Sequence, residues 1–120
     1  EDPFLGAQLV GPIIAGIQAQ GVIANAKHYV NNNQETARQD IDTRVDERTQ
    51  WEMYYPPFQA AVDAGLLSVM CSYNRVRLGD QPEALYGCEN DQTLKQDLKG
   101  TMGFGGFILS DWGATKSTSA

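Results

Sequence analysis

Residues 105–114, GGFILSDWGA, set a short apolar run behind two glycines and finish it on a carboxylate between Ser110 and Trp112. Phe107, Ile108 and Leu109 do not alternate with polar residues, which is how a strand buried on both faces reads. Such strands belong to parallel sheets covered by helices. An ionised carboxylate is costly to desolvate, so Asp111 at the end of a buried strand has two readings. It caps a following helix, or it is a chemical group delivered to the mouth of the sheet.

Working outward, the same alternation repeats. Upstream of GGFILSDW, residues 91–100 place Leu94 and Leu98 on one helical face. Before them, residues 66–73 (LLSVMCSY) form a second buried-strand candidate, followed by a turn-rich segment that ends near Gly87. Asp46 is a suitable N-cap for a helix running towards Gly65, and Pro56-Pro57 must kink or interrupt that helix. Residues 22–30, rich in β-branched side chains, empty into the polar Asn31-Asn-Asn-Gln-Glu35, as a strand empties into a loop. Residues 4–20 carry Leu5, Leu9, Val10, Ile13, Ile14 and Ile17 at helical spacing, with Gly21 as the stop. The order is α-β-α-β-α-β, an α/β arrangement with a parallel sheet.

In both open sheets and barrels of this class, chemistry gathers at the carboxyl ends of the strands. Lys27-His28, Tyr73-Asn74 and Asp111-Trp112 all fall at that edge. An indole beside a carboxylate offers a flat face on which the CH-rich side of a sugar ring can stack. That company favours the chemical reading of Asp111 over capping.

Composition narrows the partners. The 120 residues are 42% hydrophobic and 20% charged, ordinary for a globular domain, and no boundary falls inside residues 1–120. A net charge of −6 argues against nucleic acid, whose affinity rests on Lys and Arg displacing counterions. No run reaches the roughly 18–20 apolar residues of a membrane span. With one His and no ligand spacing among the carboxylates, no metal or cofactor is expected. The glycine-rich residues 100–106 precede a strand instead of following one, so they read as a turn and not a phosphate cradle. Cys71 and Cys88 flank the turn-rich segment, which suits either a disulfide or two buried thiols. The chain opens without Met and stops in TKSTSA soon after the Asp-Trp pair, and reads as a fragment.

Seven stretches, EDPFL (1–5), GIQAQG (16–21), KHYVNNNQE (27–35), DER (46–48), VMCSYN (69–74), GFGGF (103–107) and SDW (110–112), stand in an order that resembles glycoside hydrolase family 3. The resemblance spans nearly the whole chain, and the ordered set is specific where each member alone is weak. It implies a partial (β/α)₈ TIM barrel, about three βα units of an N-terminal catalytic domain, where a complete barrel needs about 250 residues. It implies a retaining β-glucosidase that acts on terminal β-D-glucosyl residues of cellobiose and related oligosaccharides, with Asp111 as nucleophile. Lys27 and His28 match residues that bind sugar hydroxyls, Met70 and Tyr73 match pocket residues near the nucleophile, and Trp112 matches an aromatic wall. A cationic Lys27 would favour the charged form of Asp111.

The VMCSYN form with a second cysteine downstream is similar to fungal secreted members, which implies a Cys71–Cys88 disulfide and an extracellular protein. The general acid/base, a Glu of a following domain in the family, lies outside these residues. Tyr29-Val-Asn-Asn after Lys27-His28 departs from the N-acetylglucosaminidase branch, which has Pro-Gly-His there. A β-xylosidase of the same family, a barrel lyase forming a Schiff base on Lys27, and a non-catalytic sugar-binding relative are the alternatives.

Overall fold

The computed structural model describes residues 2–116. Glu1, the first residue of the EDPFL stretch, and the terminal STSA lie outside the described residues. Helix α1 (Pro3–Gln18) begins where Asp2 accepts a hydrogen bond from the Leu5 amide through its side chain, with proline in the first turn, where its missing N–H costs nothing. β1 (Asn25–Tyr29) follows. Its neighbours are β3 (Ser68–Cys71) and β6 (Phe107–Ser110), in the order β1-β3-β6 and parallel throughout. The three sequence-read strands are thus adjacent, and each is preceded by a helix, as in the βα units of a barrel.

Asp46 caps the second helix as expected, accepting from the Thr49 amide at 2.9 Å. That helix runs in three pieces. The turn α2 (Glu47–Thr49) passes into π-helical residues Gln50–Tyr54, where the Tyr55 amide reaches back to the Gln50 carbonyl. α3 (Pro56–Asp63) then restarts on the two prolines. Pro56-Pro57 therefore occupy a first turn, where proline is tolerated, and the wide turn before them absorbs the break. The helix before β6, Gln92–Thr101, is also π-helical, with the Met102 amide bonded to the Asp97 carbonyl.

Residues 42–45, to which the sequence pattern assigned no element, and the turn-rich segment after β3 hold a second sheet. β2 (Asp42–Val45) pairs in parallel with β4 (Arg75–Leu78), and β4 pairs antiparallel with β5 (Leu85–Tyr86). The turn-rich reading of residues 74–87 is corrected accordingly. A disulfide between Cys71, the last residue of β3, and Cys88, just past β5, ties this sheet to the parallel one. At Gly87 a Cβ would lie 2.7 Å from the Ser72 hydroxyl, so only glycine lets the chain pass the end of β3 beside the bridge.

The core lies between the parallel sheet and its helices, built from Ile14, Tyr29, Val30, Tyr55, Val69, Leu98 and Phe104. Tyr29 and Tyr55 stack with centroids 5.8 Å apart, and Phe58 meets Tyr29 edge-on at 4.9 Å. Both hydroxyls are satisfied in the interior: Tyr29 donates to the Thr93 carbonyl and Tyr55 to the Asp97 carboxylate.

Candidate active site

β1 and β3 pair residue for residue from Asn25↔Ser68 to Lys27↔Met70, and then the register slips so that Tyr29 faces Cys71. His28 is the extra residue of this bulge. A regular strand would send Lys27 and His28 to opposite faces, and a bulge re-aims one of them. The result is that His28 Nε2 lies 3.3 Å from Asp111 Oδ2 across the strand ends, an ion pair whenever the imidazole is protonated. Both side chains are largely covered, at 25% and 13% exposure.

Asp111 stands one residue beyond β6, its amide bonded to the Cys71 carbonyl at 3.2 Å. Its Oδ1 accepts from the Trp112 amide at 2.8 Å, and a tight turn closes behind it from the Ala114 amide to the Asp111 carbonyl. Among the described residues this turn, not a helix, follows the strand, so the carboxylate caps no helix there. Tyr73 donates to the Trp112 carbonyl at 2.7 Å. Burial, and then the Asp111 carboxylate beside it, push the Tyr73 hydroxyl up from its ordinary value, which keeps it a donor.

Trp112 is 88% exposed and presents its indole beside the carboxylate, free to stack on a ligand. Met70 sits half-buried on β3 between Lys27 and Leu109. Lys27 is exposed and lines, with His28, Asn31, Asn32 and Phe58, a cleft of about 550 Å³. The ion pair to Asp111 comes from His28, while Lys27 faces the cleft.

Two features of the rim were not read from the sequence, and a third, Asn74, was read only as a residue of that edge. Arg38 holds Glu35 at 3.1 Å and lays its guanidinium over the Tyr73 ring, 4.8 Å from the centroid. Asn31 and Asn32, which line the cleft, keep buried side-chain atoms unpartnered. Asn74 is fully buried and anchors the loop after β1 by donating to the Val30 carbonyl at 3.1 Å. The run of three asparagines at a strand end was the available signal for the second of these; nothing local marks Arg38.

His28 joins that cleft to the Asp111 carboxylate it pairs with, and the open Trp112 indole follows that carboxylate in the chain; on the ends of parallel strands, a carboxylate, an imidazole and an indole are groups suited to attack on a hydroxylated ring. The family model for the glycosyl hydrolase family 3 N-terminal domain matches residues 1–120. The chain belongs to this family. It is 44% identical over 119 residues to the probable β-glucosidase L of Aspergillus terreus, covering 99% of the chain and 15% of that protein. The crystal structure of the β-D-glucoside glucohydrolase from Trichoderma reesei superposes with a TM-score of 0.87 at 44% identity, over 94% of the chain and 15% of that one. The crystal structure of a β-glucosidase from Streptomyces venezuelae in complex with D-glucose superposes with a TM-score of 0.85 at 39% identity, over 96% of the chain and 14% of that one. The chain thus spans about a seventh of the length of these three proteins.

Proposed function

We propose that the protein carrying this chain is a retaining β-glucosidase that releases terminal β-D-glucosyl residues through a covalent glycosyl-enzyme on Asp111. The observation that carries the reading is the Asp111 carboxylate at the end of β6, held by His28 at 3.3 Å and flanked by the open Trp112 indole. The names of the relatives support glucose over xylose as the glycone.

In the first step a carboxylate oxygen of Asp111 bonds to the anomeric carbon while the bond to the leaving oxygen breaks. That oxygen takes a proton from a carboxylic acid supplied by another part of the polypeptide, about 5–5.5 Å from Asp111 as retention requires. In the second step the same acid, now a carboxylate, removes a proton from water, the water oxygen bonds to the anomeric carbon, and the Asp111 ester bond breaks. Configuration at that carbon is retained. Lys27 and His28 hydrogen-bond sugar hydroxyls, Met70 and Tyr73 line the pocket, and the CH face of a sugar packs on Trp112. A Schiff base on Lys27 would leave the Asp111–His28 pair without a task. The Cys71–Cys88 disulfide supports a secreted protein working in an oxidising compartment.

The test uses the full-length protein. Asp111→Asn is expected to lose aryl β-glucosidase activity by at least about 10³-fold with an unchanged melting temperature, in keeping with loss of a covalent nucleophile. A 2-fluoro glucoside is expected to add one sugar mass to the peptide containing Asp111. Labelling of another residue, or faster cleavage of aryl xylosides than glucosides, would overturn the corresponding part of the reading.

A further inference from the structure

Residues 71–74, at the exit of the middle strand, tie together the exits of the two strands beside it. On one side the Cys71 carbonyl accepts from the Asp111 amide at 3.2 Å and the Tyr73 hydroxyl donates to the Trp112 carbonyl at 2.7 Å, so this segment holds the end of β6. On the other side it holds the end of β1. The Ser72 amide donates to the Tyr29 carbonyl at 2.8 Å, and the Ser72 hydroxyl and the Asn74 side-chain amide both donate to the Val30 carbonyl, at 3.2 and 3.1 Å. Asn74 Nδ2 also donates to Thr43 Oγ1 at 3.2 Å, which commits both hydrogens of its amide.

Ser72 and Asn74 are fully buried, and both are directed at one backbone carbonyl. That carbonyl lies two residues beyond His28. His28 stands outside the ladder, between Lys27 opposite Met70 and Tyr29 opposite Cys71. A bulged residue has no ladder partner, so its placement follows from how its neighbours are held. Upstream the holding is the regular pairing of β1 with β3. Downstream it is the grip of residues 72–74 on the Tyr29 and Val30 carbonyls. The same segment also fixes the Asp111 amide, so both members of the 3.3 Å contact between His28 Nε2 and Asp111 Oδ2 are placed from one short piece of chain. That piece is itself secured from behind by the Cys71–Cys88 disulfide and by the Gly87 amide, which donates to the Asn74 carbonyl at 2.9 Å.

We infer that Asn74, seconded by Ser72, is a positioning residue for the proposed reaction: it clamps the exit of β1 and so sets His28 against Asp111. The inference rests on the reading of Asp111 as nucleophile. The test follows covalent labelling of the full-length protein by a 2-fluoro glucoside, with rate and labelled peptide both read by mass, well below the melting temperature of each variant. Asn74→Ala is expected to slow labelling of Asp111 by at least about tenfold, since a small displacement of a reacting group carries losses of this size. His28→Ala is expected to slow it as well. The double variant should label within about twofold of His28→Ala alone, because a clamp acting through His28 has nothing left to place once the imidazole is gone. Ser72→Ala, which leaves Asn74 on the same carbonyl, should show a smaller loss that is likewise absent in the His28→Ala background. Where Asn74→Ala fails to fold, as read by melting, Ser72→Ala decides. A variant that melts lower yet labels Asp111 as fast as the unaltered protein would make the clamp structural only and overturn the inference, as would losses that multiply in the double variant. A label on a residue other than Asp111 is a distinct outcome, which removes the nucleophile assignment itself and with it the task of the clamp.

Discussion

At Tyr73 a single hydroxyl connects two strand ends: it donates to the Trp112 carbonyl from the end of β3 and lies against the Asp111 carboxylate beyond β6. Tyr73→Phe in the full-length protein removes that donor with little change in volume. A lost hydrogen bond of this kind is worth about 1–1.5 kcal/mol, so kcat/KM on aryl β-glucosides is expected to fall by roughly tenfold. The ring stays in place under Arg38, so the melting temperature should move little. Steady-state kinetics with a thermal melt separates the two. Residues of this kind were legible unevenly. Asp111 and Trp112 stand out because a carboxylate and an indole end an apolar run, whereas Arg38 sits in a polar loop among charges that look alike, and only the fold lays it over Tyr73.

Among the elements, the π-helical turns and the small sheet are what pattern reading did not reach. Apolar spacing reports a helical face but not whether an amide bonds four or five residues back, so Gln50–Tyr54 and Gln92–Thr101 read simply as helix. β2 and β4 are four residues each, and their pairing joins positions far apart in sequence, so neither carries a strong local signal. The three longer alternations, in contrast, were legible, each as a helical face followed by a short strand candidate that ends in polar residues, although only β3 and β6 are themselves largely apolar. The wide turns have an energetic counterpart in the Tyr29, Tyr55 and Asp97 cluster that packs between them. Tyr55→Phe leaves Asp97 with the Gln92 amide alone, and the loss of a hydrogen bond to a charged group is expected to cost about 1.5–3 kcal/mol in denaturant unfolding. Burial, with the nearby Asp97 charge, raises both tyrosine hydroxyls above their ordinary value of 10.0. The folded state therefore holds these protons more tightly than the unfolded one. Their contribution is complete below about pH 10 and is lost as pH rises above it. Melting temperature followed from pH 9 to pH 11.5 should fall, and less steeply in Tyr55→Phe. The disulfide acts at the same scale. Closing a loop of 17 residues is worth roughly 3 kcal/mol, so Cys71→Ala with Cys88→Ala should lower the stability of this region by about that amount, read by hydrogen exchange in β4 and β5.

For the whole chain, the sheet order β1-β3-β6 leaves β1 and β6 each with an unpaired edge among the described residues. α1 turns Phe4, Leu5, Leu9 and Ile13 outward at 73%, 53%, 54% and 58% exposure, and Val22, Ile23, Leu67 and Phe107 are exposed near the starts of the strands. Apolar surface on this scale and open parallel edges call for further barrel units. The 120 residues expressed alone are expected to aggregate or to bind a hydrophobic dye without a cooperative melt. A sharp two-state transition by calorimetry would refute this.

The bulge at His28 carries a consequence for transplantation. Strands of a barrel deliver one side chain to the rim for every two positions, so a regular strand end can host Lys27 or His28 but not both usefully. One residue outside the ladder doubles what this strand contributes. Grafting the dipeptide Lys-His onto a regular strand of another scaffold would therefore aim one of the two side chains at the barrel wall, and deleting position 28 here would leave Lys27 opposite Met70 and Tyr29 opposite Cys71 in a regular ladder that has lost the side chain meeting Asp111. What has to be carried across is the irregular step between Lys27 and Tyr29, together with the two letters that occupy it.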